Sequence, residues 1–80
     1  MYERYSRIRV ECYAGYRGEE EPRRFDREGR EFKVTEILDR WLDPYHRYFK
    51  VRANDDGVYI LRHDADTGTW ELSVVLSGDR

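Results

Sequence analysis

One cysteine, one methionine, two prolines and no long apolar run are spread over eighty residues, and each scarcity removes a class of protein. Cys12 has no second cysteine with which to close an internal disulfide, so the fold must stand without covalent staples, and a reducing, cytoplasmic setting is expected. No run of about 18 apolar residues occurs and no apolar segment follows Met1, so neither a membrane span nor a secretory leader is expected. An excess of one charge is also lacking. Fifteen basic residues face 17 acidic ones, a formal net charge of -2, although 40% of the chain is charged. Mixed-sign surfaces are expected, and a single field that would coat a polyanion is not.

The length allows one domain over residues 1–80 with one small core. Nearly every large apolar side chain is then needed to offset the entropy of ordering the chain, and few remain to line a deep pocket. Seven Tyr, three Phe and two Trp make a core built from a few large rings. The charge is uneven. Residues 1–31 sum to zero, residues 32–53 carry five basic against three acidic side chains, and residues 54–80 carry two against six. Thirteen of the fifteen basic residues are Arg, which suits planar, bidentate and stacking contacts, unless it reflects only a GC-rich coding bias.

The apolar pattern has a period close to two. Ile8, Val10 and Cys12 alternate with Arg7, Arg9, Glu11 and Tyr13, a strand with one apolar and one charged face. Residues 14–22, with two glycines and a closing proline, read as a loop, followed by a short strand over residues 23–26 that buries Phe25. Gly29 supplies a hairpin turn. After Phe32 and Val34 the alternation breaks, because Glu36 occupies a core position and Ile37 and Leu38 are adjacent. A β-bulge near Thr35 and Glu36 repairs the register; the alternative is a short helix over residues 35–42 capped by Thr35. Asp43-Pro44 ends the segment either way. Phe49, Val51 and Ala53 alternate with Tyr48, Lys50 and Arg52; Asn54-Asp55-Asp56-Gly57 signals a hairpin, and Trp70, Leu72, Val74 and Leu76 form a last strand. The expected fold is all-β: an antiparallel meander of five to six strands curled into an SH3-like roll or open barrel.

Catalytic chemistry has few parts to work with. Cys12, His46 and His63 are scattered, and a cysteine on an apolar strand face is usually an inert core thiol. They lack zinc-ligand spacing. Asp64, Asp66 and Gly68 resemble the start of a calcium loop but lack its third oxygen ligand and its terminal Glu, so they read as turn formers. Residues 15–18 have glycine-loop spacing without the Lys-Ser or Lys-Thr of a phosphate cradle. No metal site, cofactor or catalytic residue is expected. The remaining signal is an outward Arg/Tyr face of Arg7, Arg9, Tyr13, Tyr48, Lys50 and Arg52, joined by Arg17 between its two glycines. Rings and guanidinium planes on a sheet suit single-stranded nucleic acid or a protein partner; the plainer reading is a solvated, salt-bridged surface. The expectation is a non-enzymatic binding or adaptor domain, monomeric or weakly dimeric and away from membranes. The alternatives are a structural subunit joined through a strand edge, or an enzyme with a site near His46 or His63.

Several of these stretches also carry a resemblance: Cys12-Tyr13-Ala14-Gly15-Tyr16-Arg17-Gly18-Glu19-Glu20, Pro22-Arg23-Arg24-Phe25, Glu36-Ile37-Leu38-Asp39-Arg40-Trp41, Arg47-Tyr48-Phe49-Lys50-Val51-Arg52, Tyr59-Ile60-Leu61-Arg62-His63-Asp64 and Trp70-Glu71-Leu72. Over most of its length the chain resembles a small bacterial family of unknown function. A related domain stands at the C-terminal end of some Y-family, translesion-type DNA polymerase homologues, with similar Pro-x-x-Phe, Leu-Asp-Arg-Trp and Tyr-Phe-x-Val patterns. The resemblance implies a connection with DNA repair. The Tyr-Ala-Gly-Tyr-Arg-Gly segment is closer to the stand-alone members, and no catalytic residue carries over because none is known for the domain.

Overall fold

The alternation seen in the sequence becomes six strands in a computed structural model that describes residues 4–14 and 20–76. They are β1 (Ser6–Ala14), β2 (Glu20–Arg27), β3 (Arg30–Leu42), β4 (His46–Ala53), β5 (Val58–Asp64) and β6 (Trp70–Leu76). Each pairs antiparallel with the next, and β6 returns to β1 through Ser6↔Leu72, Arg7↔Glu71 and Ile8↔Trp70, closing a barrel. The fold is all-β and consistent with the expected SH3-like roll. It is closed where an open form was the other expectation. No helix among the described residues is long and apolar enough to cross a membrane.

Two expectations need correction. Residues 35–42 are strand, so the helix alternative falls. The bulge alternative is met: Val34 and Glu36 oppose the consecutive residues Ala53 and Arg52, leaving Thr35 as the extra residue. Residues 14–22 are not all loop either, since β2 begins at Glu20 and buries Pro22 opposite Cys12. The register slips there between Cys12↔Pro22 and Glu11↔Arg24, and at an interrupted ladder a residue without an N–H costs least.

The core gathers Phe25, Phe32, Phe49, Val51, Ala53, Tyr59, Leu61, Trp70 and Leu72, with Ile8, Val10, Cys12, Val34 and Ile37 packed against it. Phe25 and Phe32 are cross-strand partners with ring centroids 5.3 Å apart, and Tyr59 meets Phe25 edge-on at 5.2 Å. Beyond the area they bury, such pairs contribute about 0.5–1.5 kcal/mol each.

Turn chemistry sets the hairpins. Between Arg27 and Arg30 only Glu28 and Gly29 intervene, at φ 53° and 79°, the two positive angles of a type I′ turn. Gly29→Ala places a Cβ in open space yet still forces an L-residue into the left-handed region, and we expect a loss of about 1–2 kcal/mol. Urea denaturation checks it, and an unchanged midpoint would show that the hairpin does not need this angle. In the β5–β6 turn Asp64 Oδ1 accepts the Asp66 and Thr67 N–H groups at 2.9 and 3.3 Å, the turn-forming role expected of it.

Candidate binding site on the β3–β4 arm

A second bulge, at Leu38, builds the site. Ile37 opposes Val51 and Asp39 opposes Lys50, so β3 gains one residue between them. Had the alternation continued from Ile37, Asp39 and Trp41 would point inward. The extra residue reverses the phase of everything after it. Trp41 now faces outward beside Tyr48, while Arg40 and Leu42 share the inner phase of Phe49 and Arg47.

On the outer face the Trp41 and Tyr48 rings lie parallel, 5.2 Å apart and 5° from coplanar. Trp41 remains 40% exposed and Tyr45, in the connecting turn, 75%. Asp43 holds this arrangement. Its Oδ1 accepts the Tyr45 and His46 N–H groups at 2.8 and 2.6 Å, and its Oδ2 accepts the Tyr48 hydroxyl at 2.8 Å. The Tyr45 N–H leads in keeping the Asp43 carboxyl below its ordinary value; partial burial opposes this, and the Tyr48 and His46 bonds reinforce it. Tyr48 moves the other way, raised first by burial and then by Asp43. The turn and the platform ring are thus tied through one carboxylate.

Behind the platform, at the mouth of the barrel, the Arg40 and Arg47 guanidinium carbons stand 5.9 and 5.4 Å from the centroid of the one Phe49 ring. Both lie within cation–π range of that buried ring. Arg40 also meets Glu21 at 3.0 Å, an exposed ion pair of the kind that contributes little. Arg40, Trp41, Leu42, Arg47, Tyr48 and Phe49 line a groove of about 630 Å³, in which Arg40 and Arg47 share the inner phase of Phe49 while the Trp41 and Tyr48 rings belong to the outer face. A groove of about 520 Å³ elsewhere on the barrel mixes Arg4, Arg7 and Arg27 with Asp26 and Glu28.

The residues expected from the sequence divide. Tyr48, Lys50 and Arg52 do face outward on β4, but Lys50 and Arg52 oppose Asp39 and Glu36. Arg7 and Arg9 are exposed on β1, three strands away around the barrel, and β1 and β4 do not pair. Between Arg7 and Tyr48 lies the outer row Glu71 and Arg62. Arg62 is occupied, with its Nε 2.6 Å from Glu71 and its guanidinium 3.9 Å from the Tyr5 ring centroid. Arg9 shares a shallow groove with Glu11, Asp26 and Glu31. The single Arg/Tyr face is therefore not assembled: a six-stranded sheet curled into a barrel sends the outer faces of distant strands in different directions. The Tyr13 side chain and all of Arg17 lie outside the described residues.

The two histidines do not meet either. His46 lies against the outer Tyr48 ring at 5.8 Å, whereas His63 opposes the inner-phase Arg47 and stacks on Trp70 at 4.6 Å. Among the described residues no group of three or more His, Cys, Asp or Glu side chains could hold a metal ion. Arg40, Trp41 and Arg47 were missed from the sequence. Arg47 carried a signal: it stands in phase with Phe49, Val51 and Ala53, so an arginine at an apolar phase next to a turn marks the barrel mouth.

β3 also has an open edge. Its pairing with β2 ends at Arg24↔Lys33, and residues 34–42 pair only with β4 among the described residues. Two bulges and the charges of Glu36, Asp39 and Arg40 interrupt that edge, the usual protection against strand addition.

No known family, curated protein or solved structure matches this chain.

Proposed function

We propose that this chain is a non-catalytic binding domain whose ligand combines an anionic group with a planar ring, held on the β3–β4 arm. The observation that carries the reading is the placement, on neighbouring residues at the open edge of β3, of Arg40 within 5.9 Å of the Phe49 ring on the inner face and of an exposed Trp41 stacked on Tyr48 on the outer face. Arg suits an anion because its planar fork pairs with phosphate or carboxylate oxygens two at a time. The ring of the ligand extends the parallel stack outward from Trp41. Because Asp43 and the bulge at Leu38 fix the platform before any ligand arrives, little ordering entropy is lost on binding. The kinship with the stand-alone bacterial family is part of this proposal and contributes no residue to it.

Adenosine monophosphate is the smallest probe with both features. In a ¹H–¹⁵N NMR titration we expect the Trp41 indole and the Arg40 and Arg47 side-chain signals to shift together, with a Kd on the order of 1 mM. Inorganic phosphate should move the arginines alone. Shifts confined to other strands, or none up to about 10 mM, would remove the reading.

A further inference from the structure

We infer that Arg27 and Arg30, which close the β2–β3 hairpin, hold the phosphate of a small soluble phosphate monoester whose apolar group lies along Ile8, Leu72 and Val74. The site shares no residue with the β3–β4 arm and is independent of the reading just given.

The two arginines are cross-strand partners on either side of the Glu28–Gly29 turn, in the same inner phase as the pair Phe25↔Phe32 two residues further along the ladder. Each guanidinium lies against a core ring. Arg27 stands 5.8 Å from the Tyr59 centroid and Arg30 5.0 Å from that of Phe32, and those two rings are 6.0 Å apart. Both arginines also act on the Tyr59 phenol, opposing the burial that leads in raising it. Like charges directly opposite each other weaken a ladder, and none of the ion pairs among the described residues includes either one. Asp55 feels the charge of Arg30, but its two oxygens are committed to the Tyr59 hydroxyl and the Gly57 N–H. Two planar forks that each take a pair of oxygens match a tetrahedral phosphate, whereas a carboxylate has oxygens for only one of them.

Arg27 also lines the groove of about 520 Å³, and the phase of its neighbours there defines the rest of the ligand. Leu72 and Val74 share the inner phase of Arg27 through Leu61↔Leu72 and Tyr59↔Val74, and Ile8 packs beside them against the core. Leu72 is 4% exposed and Val74 40%, an apolar floor that begins buried and opens next to a cation. Asp26 takes the outer phase opposite Arg9 and Glu31, and Glu28 lies in the turn. The rim thus sets Arg4 and Arg7 against Asp26 and Glu28. Its charges cancel, so an anionic bilayer meets no attraction there, and a soluble ester is favoured over a lipid headgroup.

Hexyl phosphate tests the inference in ¹H–¹⁵N NMR titrations of the whole chain, with inorganic phosphate and hexanoate standing for its two halves. Inorganic phosphate should move the Arg27 and Arg30 side-chain signals and the Gly29 amide with a Kd on the order of 1 mM. Hexyl phosphate should also move Leu72 and Val74 and bind about tenfold tighter. Hexanoate should bind more weakly than either, and the Trp41 indole should stay still throughout. Arg27→Gln and Arg30→Gln should each weaken hexyl phosphate about 10- to 100-fold, the loss of charge-assisted hydrogen bonds, while Arg30→Lys, which keeps the charge without the fork, recovers only part of that. Circular dichroism checks that each variant keeps the barrel, and phosphate should raise the urea midpoint of the parent but not of Arg30→Gln. No shift up to about 10 mM, hexanoate as tight as hexyl phosphate, hexyl phosphate no tighter than inorganic phosphate, or full affinity in Arg30→Lys would each overturn the inference. So would sedimentation with phosphatidic acid vesicles in place of hexyl phosphate binding. Shifts confined to Arg40 and Trp41 would overturn it too, and would leave the arm reading standing.

Discussion

Trp70→Ala is expected to destabilise the barrel by about 3–5 kcal/mol, while Trp41→Ala, at the other tryptophan, should cost about 1 kcal/mol. Trp70 is 8% exposed and packs on Phe49 and His63, with ring centroids at 5.9 and 4.6 Å. Truncation leaves a cavity at the seam where β6 closes on β1 through the pair Ile8↔Trp70. A domain of this size has about 4–12 kcal/mol of stability, so the substitution brings it close to unfolding. Trp41, 40% exposed, instead loses the stack on Tyr48 and less buried area than Trp70 does. Urea titrations followed by far-ultraviolet circular dichroism separate the two cases. Equal losses would mean that the β3–β4 arm is packed rather than presented, and the binding surface would go with it.

The second large effect concerns the far end of the barrel, where Tyr59 reaches from the core to the β4–β5 turn. Its hydroxyl donates to Asp55 Oδ2 at 2.6 Å, and Asp55 Oδ1 accepts the Gly57 N–H at 2.9 Å. Burial and then the bond to Asp55 push the phenol up to about 12. Burial alone would raise Asp55; the Tyr59 and Gly57 bonds outweigh it and hold the carboxyl below its ordinary value. The fold thus favours the protonated phenol and the ionised carboxylate. Tyr59 contributes fully below about pH 10, and its contribution disappears as the pH rises from about 10 to about 12. Asp55 contributes above its unfolded value near 3.9, and that is lost as the pH falls through the lower folded value. Tyr59→Phe removes a bond to a charged acceptor and should cost about 1.5–3 kcal/mol at neutral pH. It should also flatten the alkaline limb, so that urea midpoints at about pH 8 and about pH 11 differ less than in the parent. An alkaline limb of unchanged steepness would show that other tyrosines, Tyr48 among them, govern it.

These two effects rest on parts of the molecule with different legibility. The strands around Ile8, Phe49 and Leu72, the Gly29 hairpin and the bulge at Thr35 could be read from residue order, because alternation and turn residues are local signals. Trp41 could not be placed in the same way. One inserted residue three positions earlier decides whether its ring faces the core, and two adjacent apolar residues, Ile37 and Leu38, permit either phase. The start of β2 was hidden for a similar reason: Pro22 reads as a breaker until a neighbouring strand offers it an irregular ladder.

By itself the sequence determined that the fold is all-β, that its rings form the core, and that arginine supplies nearly all of its positive charge. Which arginines act together was decided only by the closed barrel. Alternation tells which side of a strand a residue occupies, but it carries no information about how far around the barrel that side has turned. Closure separated Arg7 and Arg9 from Tyr48, and the bulge at Leu38 brought Arg40 and Arg47 over one ring, since contacts between distant strands depend on register and curvature that no short window of sequence contains.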